Sequence, residues 1–168
     1  MPDEQKVIVN ASPLIALFRA ELAHLLTEMW QEVLVPEAVR KEVMAGGIGD
    51  TAAYAMSNAP WVKQIDVGTV APEVAAWDLG SGETEVLSLA TQMRPQSFRV
   101  VLDDAQARKC ARVFGFPLSG TGGILVLAKQ RGLLTNVSDV LNSMTASGFW
   151  ASPRIVELLK RKAGENVS

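Results

Sequence analysis

Short apolar runs recur along the chain, and segments with helical periodicity separate them. The runs are short and carry apolar residues toward both faces, and the first, Val7-Ile8-Val9, is entirely β-branched. Runs of this kind, alternating with amphipathic segments, are typical of parallel strands that are buried on both faces by helices. The predicted strands are Val7–Val9, Val33–Val35, Trp61–Val67, Arg99–Leu102 and Phe116–Leu118. Lys63 and Gln64 place the third of these near an edge of the sheet.

Capping residues and apolar spacing predict the helices between these strands. Ser12 as N-cap and Pro13 as first helical residue open a helix after the first strand. Residues 72–78 are predicted to form a short turn-rich segment. The other helices are predicted from Pro36 to the glycine pair at 46–47, from Ser152-Pro153 to Lys162, and over Glu21–Trp30, Thr51–Asn58, Glu83–Met93, Ala105–Phe114, Ile124–Arg131 and Val137–Ala146.

Together these elements predict an α/β fold: a three-layer α/β/α sandwich around a mainly parallel sheet of about five short strands. We find no internal repeat and no low-complexity linker. The expected organisation is one domain over residues 1–168, with a core at about 6–135 and C-terminal helices at about 136–163.

Composition narrows the possible chemistry. The chain has 168 residues, of which 48% are apolar, and a net charge of −2. The single cysteine, Cys110, and the single histidine, His24, exclude a disulfide framework and metal sites built from several thiols or imidazoles. The start MPDEQK lacks the features of a signal peptide, and no apolar stretch is long enough to span a membrane. We expect a soluble cytoplasmic protein with no membrane contact.

Charge is distributed unevenly along the chain. Residues 1–93 hold 5 basic and 13 acidic side chains, whereas residues 94–168 hold 11 basic and 5 acidic ones. One interpretation is chance variation among solvated helix faces. The other is an acidic half that collects cations and a basic half that meets phosphates.

Oxygen-bearing side chains follow two of the predicted strands. Asn10 ends the first strand, and Asp103 and Asp104 end the fourth. Ligands of open parallel sheets gather at the carboxyl ends of the strands, so these residues are candidates for a site. The structural alternative is that one aspartate caps the helix at Ala105 while the other is solvated.

Helical glutamates extend this set. Glu42 lies between Val39 and Val43, at the border of a buried stripe, and Glu85 lies one turn before Leu89. Glu83 has a ready structural role at a helix start, where a carboxylate favours the helix dipole. A set of amide and carboxylate oxygens without His or Cys suits Mg²⁺ or Mn²⁺ and can serve phosphodiester hydrolysis.

Two further features concern phosphate. The loop Gly120-Thr121-Gly122-Gly123 exposes backbone N–H groups at a helix start, but it lacks both the dinucleotide and the Walker pattern. A tight turn into a buried helix is the alternative. Arg108 and Arg112 are four residues apart on one helix face, where they can contact phosphates beside the acids.

The chain resembles the PIN-domain family, which includes the VapC-type toxins of prokaryotic toxin–antitoxin systems. More narrowly, it resembles a PIN-like branch with an N-terminal NxSPLI signature. The matching stretches cover Val7 to about Leu159 and are VIVNASPLIAL, VLVPEAVRKEV, LGSGETEVLSLA, VLDDAQARKCARVFGFPLSGTGGILVLAKQRGLL and SGFWASPRIVELL. The resemblance implies an α/β/α sandwich and Mg²⁺- or Mn²⁺-dependent endoribonuclease activity through three or four clustered acids.

The resemblance also assigns residues. It places the family's first acid on Asn10, the second on Glu42, the third on Glu85 with Glu83 as competitor, and the fourth on Asp104 or Asp103. The implied metal ligands are Asn10, Glu42, Glu85 and Asp104. Glu42, Glu85, Asp103 and Asp104 are the implied catalytic residues. Ser12, Glu83 and Thr121 are expected to support the site, and Arg108 and Arg112 to bind RNA.

One departure from the family pattern keeps a second hypothesis open. The first position, usually Asp, is the neutral Asn10, which attracts a cation less strongly. The alternative to a nuclease is therefore a catalytically silent module that binds RNA or a protein. A phosphoacceptor receiver domain is excluded because its acid pair would follow the first strand. The expected partners are RNA, a cognate antitoxin and a second copy of the chain.

Overall fold

The computed structural model describes residues 4–165 and contains a five-stranded, all-parallel sheet in the order β3-β2-β1-β4-β5. The architecture fits the predicted three-layer α/β/α class, and that prediction is confirmed. The strands are β1 Lys6–Val9, β2 Glu32–Pro36, β3 Val62–Ile65, β4 Phe98–Val101 and β5 Leu118–Ser119.

The central strand of the sheet, β1, has an uninterrupted apolar run. β1 pairs with both β2 and β4, with Ile8 opposite Leu34 and Val9 opposite Val101. Val7, Ile8 and Val9 have no exposed surface, as expected of a strand that helices cover on both faces. β3 lies at the edge, where Lys63 and Gln64 remain exposed.

Ten helices accompany the strands within residues 4–165. They are α1 Ala11–Arg19, α2 His24–Met29, α3 Glu37–Met44, α4 Thr51–Ser57, α5 Pro72–Ala75, α6 Ser81–Met93, α7 Ala105–Val113, α8 Thr121–Gln130, α9 Val137–Ala146 and α10 Pro153–Lys162. No helix in this part of the chain has the length and apolarity needed to cross a membrane.

Several element boundaries differ from the sequence prediction. The predicted helix from Glu21 begins only at His24, because Glu21 adopts a left-handed backbone with φ 59°. α6 begins at Ser81 and α8 at Thr121, two and three residues earlier than predicted. The last strand is Leu118–Ser119 rather than Phe116–Leu118, and residues 72–75 form a single helical turn.

The start of α1 also differs, and the difference affects the site. The helix begins at Ala11, so Asn10 rather than Ser12 occupies the N-cap position. The Asn10 side chain makes no capping hydrogen bond. Its amide is therefore free for other contacts at the carboxyl edge of the sheet.

Candidate metal site

Asn10 lies at the centre of the carboxyl edge, directly after β1. Its backbone N–H donates to the Val101 carbonyl across 3.1 Å, which anchors it to β4. The side chain is 1% exposed, and its Nδ2 donates to Glu83 Oε1 across 3.2 Å. Its Oδ1 is buried and has no hydrogen-bond partner among the described residues. A buried oxygen without a donor is costly, so it points to a group that is missing from the protein alone.

Gly82 and Glu42 define the space that this oxygen faces. A Cβ added at Gly82 would lie 3.1 Å from Asn10 Oδ1 and 3.5 Å from Glu42 Oε1. Both oxygens therefore border the same small volume beside the first turn of α6. A side chain at position 82 would occupy part of that volume. Sequence reasoning did not assign Gly82 to the site. The only feature of the sequence that could have indicated Gly82 is the glycine-rich turn before the helix.

Two of the three residues in the cluster of Asn10, Glu42 and Glu83 are acidic, and within residues 4–165 neither glutamate forms a salt bridge. Burial raises the pKa of Glu42, and the negative charge of Glu83 raises it further. A carboxylate whose pKa is raised by a neighbouring carboxylate lies in a site that favours a positive charge between the two. Two carboxylates and an orphaned amide oxygen thus fit a hard divalent cation.

Glu85 makes a different contact. Its Oε1 accepts a 3.2 Å hydrogen bond from the backbone N–H of Ala38, in the first turn of α3. Pro36 precedes that helix and provides no side-chain cap, so the Glu85 carboxylate serves this helix start. Glu85 also borders a cavity of about 530 Å³ together with Glu42. Of the two glutamates on α6, Glu83 contacts Asn10 and Glu85 supports α3.

Asp104 and Asp103 both cap helices. Asp104 Oδ2 accepts from the Ala107 N–H across 2.9 Å at the start of α7. Asp103 accepts from the Thr121 backbone N–H across 2.8 Å and from its hydroxyl across 2.5 Å, at the start of α8. Thr121 is fully buried. The loop before α8 is thereby fixed to the end of β4.

Arg108 lies beside these aspartates. Its Nη1 donates to the Leu102 carbonyl across 2.8 Å. Burial and the neighbouring Arg112 lower the pKa of Arg108, while Asp103 acts in the opposite direction. Arg112 is exposed on α7, and Ser12 is exposed on α1.

The structure thus brings together part of the expected set. Asn10, Glu42 and Glu83 converge, whereas within the described part of the chain no hydrogen bond joins Asp103 or Asp104 to them. Within residues 4–165, no group of three or more His, Cys, Asp or Glu side chains is arranged to hold a metal ion. The candidate site instead combines two glutamates with an amide.

Comparison with known proteins bears on the family of the chain. No curated protein matches the chain. The family model described as a PIN domain (DUF3368) matches residues 6–165, which is nearly the whole chain. That span includes the sheet, the carboxyl-edge cluster and the C-terminal helices. The chain therefore belongs to the PIN-domain family.

Proposed function

We propose that this protein is an endoribonuclease that depends on Mg²⁺ or Mn²⁺ and hydrolyses RNA phosphodiesters at the carboxyl edge of its sheet. The observation that carries the proposal is the buried, unpartnered Oδ1 of Asn10 beside Glu42. Membership of the PIN-domain family supports a nuclease in general.

In this proposal, Asn10, Glu42 and Glu83 hold the cation. When bound, a divalent cation supplies the positive charge that stabilises the phosphodiester transition state. Asp104 Oδ1 accepts no hydrogen bond among the described residues and is a candidate for a further ligand. Asp103 and Thr121 position the neighbouring loop, and Arg108 offers a cation to the RNA backbone. Glu85 holds the start of α3, on which Glu42 lies.

The second candidate is a catalytically silent PIN module. Asn10 is neutral, and its Nδ2 occupies one oxygen of Glu83. Because of both features, the site attracts a cation less strongly than it would with a third carboxylate at position 10. The silent module would still bind RNA or a protein through the basic C-terminal half of the chain.

The biological role that we propose is the toxin of a toxin–antitoxin pair, acting on cytoplasmic RNA. The resemblance to VapC-type toxins is its support. An antitoxin would then be a separate protein whose expression relieves growth arrest.

A cleavage assay with matched glutamate variants tests the proposal. Wild-type protein is incubated with structured RNAs, with and without Mn²⁺. Glu42→Gln and Glu83→Gln each remove a proposed ligand charge and are expected to reduce cleavage about 100-fold or more. Glu85→Gln retains an oxygen for the Ala38 N–H and should lose much less activity. Glu73→Gln, on the exposed face of α5, is the control.

The same variants separate the two candidates. Metal-dependent cleavage that Glu83→Gln abolishes and Glu73→Gln preserves supports the nuclease. If wild-type protein cleaves no RNA with either metal, the silent module is favoured. Growth arrest on expression, relieved in Glu83→Gln, would support the toxin role.

A further inference from the structure

A second, larger cavity opens at the same carboxyl edge of the sheet as the candidate metal site. It has a volume of about 830 Å³ and borders Ser12 and Asp103, both of which belong to the carboxyl edge. Much of the rest of its wall comes from α1, α8, α10 and the segment between α9 and α10. A volume of this size accommodates a small organic group such as a nucleotide.

The cavity is lined by more positive than negative charge. Four basic side chains border it, against the single carboxylate of Asp103. Arg19 and Arg99 have carboxylate partners, Asp50 at 3.4 Å and Glu4 at 2.7 Å. Within residues 4–165, Arg108 and Lys162 have no carboxylate within 4.0 Å. These two cations are therefore available to an anion that enters from solvent.

The same cavity presents apolar and aromatic surface. Trp150 borders it with 81% of its surface exposed, and Ile155 and Leu158 are also exposed there. Large apolar side chains exposed together around a concavity mark a binding site. A tryptophan face offers flat stacking surface, because the π-faces of all nucleobases stack on aromatic rings.

We infer that this cavity is a nucleotide subsite in which an unpaired RNA base stacks on Trp150 while Arg108 and Lys162 bind the adjoining phosphates. A nucleotide combines a flat base with an anionic phosphate. The base matches the exposed aromatic surface of the cavity, and the phosphate matches its basic side chains. A base inside a duplex is stacked between its neighbours and is not available to a concave site. The subsite therefore selects single-stranded RNA and positions the strand beside the metal site.

The charge argues for RNA over an apolar protein segment. A purely apolar partner would cover the Arg108 guanidinium, which is already partly buried, without supplying an anion. Burying an unpaired charge is costly. The phosphate of a bound nucleotide supplies that anion. The inference rests on the proposed nuclease function for the fate of the RNA, but binding is measured separately.

Binding in the presence of EDTA tests the subsite without cleavage. The probe is a fluorescein-labelled single strand of about twelve nucleotides, compared with the same strand annealed to its complement. Trp150→Ala is expected to weaken single-strand binding roughly 5- to 150-fold, the range for loss of one base–aromatic stack. Tyr54→Ala is the matched control, because Tyr54 is 73% exposed on α4 and outside the cavity.

A second variant tests the phosphate contact. Lys162→Gln should weaken binding and reduce the slope of log affinity against log salt by about 0.7, as for one phosphate contact on a single strand. The inference is overturned if Trp150→Ala binds single-stranded RNA as Tyr54→Ala does, or if the duplex binds as tightly as the single strand. Binding of a protein at this surface with no measurable RNA affinity would also overturn it.

The two proposals fail in distinguishable ways. If wild-type protein cleaves RNA and Trp150→Ala changes neither binding nor KM, the subsite is wrong while the nuclease stands. If Trp150→Ala abolishes RNA binding but the wild type cleaves nothing with Mn²⁺, the subsite stands without the nuclease. With both intact, Trp150→Ala should raise KM and leave kcat nearly unchanged.

Discussion

Asn10 is the residue at which this chain departs from the acidic pattern that it otherwise resembles. A hydrogen bond fixes the orientation of its side-chain amide, because only Nδ2 can donate to the Glu83 carboxylate. The carbonyl oxygen is left facing Glu42, without a donor. Asn10 thus lowers the repulsion between two carboxylates in the metal-free protein, while it presents one neutral oxygen to a cation.

Asn10→Asp tests that balance. The new carboxylate adds a charged ligand, so the affinity for Mn²⁺ should rise about tenfold and Mn²⁺-dependent cleavage should increase. Without metal, the variant loses the hydrogen bond to Glu83 and adds a third negative charge. We expect the free energy of unfolding to fall by about 1–3 kcal/mol. Calorimetric titration and thermal melts measure the two effects.

Asn142→Asp is the control for this substitution, because Asn142 is exposed on α9. It should change neither the metal affinity nor the metal-free melt. The opposite signs in the two conditions are the specific signature of Asn10. If Asn10→Asp leaves both quantities unchanged, the amide orders the start of α1 and belongs to no metal site.

Sequence patterns indicated some of these residues but could not choose among all of them. Asn10 follows a strand and Glu42 borders a buried stripe, and both features are local. Glu83 and Glu85 are two residues apart on one helix, so they point in nearly opposite directions. Which of them faces Asn10 depends on how α6 packs against α3 and β1. The space left by Gly82 likewise exists only once those elements are assembled.

At the scale of elements, the C-terminal helices are tied to the rest of the fold through Glu165. Its carboxylate accepts hydrogen bonds from the Val137 and Ser138 N–H groups at 2.6 and 2.8 Å, and from the Ser138 hydroxyl. It also pairs with Lys129 at 2.8 Å. One side chain following α10 thus holds the start of α9 and the end of α8, which fixes a wall of the large cavity.

Glu165→Gln is expected to destabilise the protein in a pH-dependent way. Partial burial raises the pKa of Glu165, but the bonds from Lys129, Ser138 and Val137 together lower it to about 2. A lowered pKa contributes stability above the unfolded value of about 4.5, and that contribution is lost as the pH falls toward 2. Near neutral pH we expect a loss of about 1–3 kcal/mol, or roughly 2–12 °C in Tm.

Thermal melts of Glu165→Gln and the wild type between about pH 2 and pH 7 measure this contribution. The difference between the two proteins should shrink as the pH falls below 4.5. Glu157→Gln, exposed on the same helix α10, should match the wild type throughout. An equal effect of both substitutions would show that general charge, and not the Glu165 contacts, determines stability.

Element types were largely predictable, but several boundaries were not. The apolar runs identified the strands because a strand buried on both faces is apolar along most of its length, and the edge strand β3 is the exception, with Lys63 and Gln64 exposed. The helix from Glu21 started late because of one left-handed residue, which no periodicity reveals. Helices α6 and α8 begin earlier in the sequence than predicted, because Gly80 and Gly120 occupy their extended N-cap positions.

At the scale of the whole molecule, the uneven charge of the sequence corresponds to two regions at the carboxyl edge of the sheet. The candidate metal site draws Asn10, Glu42 and Glu83 from the acidic half of the chain. The large cavity draws Arg108 and Lys162 from the basic half. The cavity itself could not be predicted, because its walls come from α1, α8 and α10, which are far apart in sequence.

The final prediction concerns the stability of the whole fold with and without a cation. Binding to the native state alone stabilises a protein by mass action, by about 1.4 kcal/mol at roughly ten times Kd. Millimolar Mg²⁺ or Mn²⁺ should therefore raise Tm by roughly 3–6 °C. Glu42→Gln and Glu83→Gln should abolish that rise, whereas Glu73→Gln and an equal ionic strength of NaCl should not affect it.

The pH dependence of this stabilisation separates a site at Glu42 from general ion effects. Burial and the charge of Glu83 raise the pKa of Glu42 above 4.5, so its contribution to metal-free stability is complete below that pH. The contribution is lost as the pH rises through the raised pKa. A cation competes with the proton for the same carboxylate, so the rise in Tm should grow over that range. A rise in Tm that is independent of pH, or that persists in Glu42→Gln, would place the cation elsewhere on the protein.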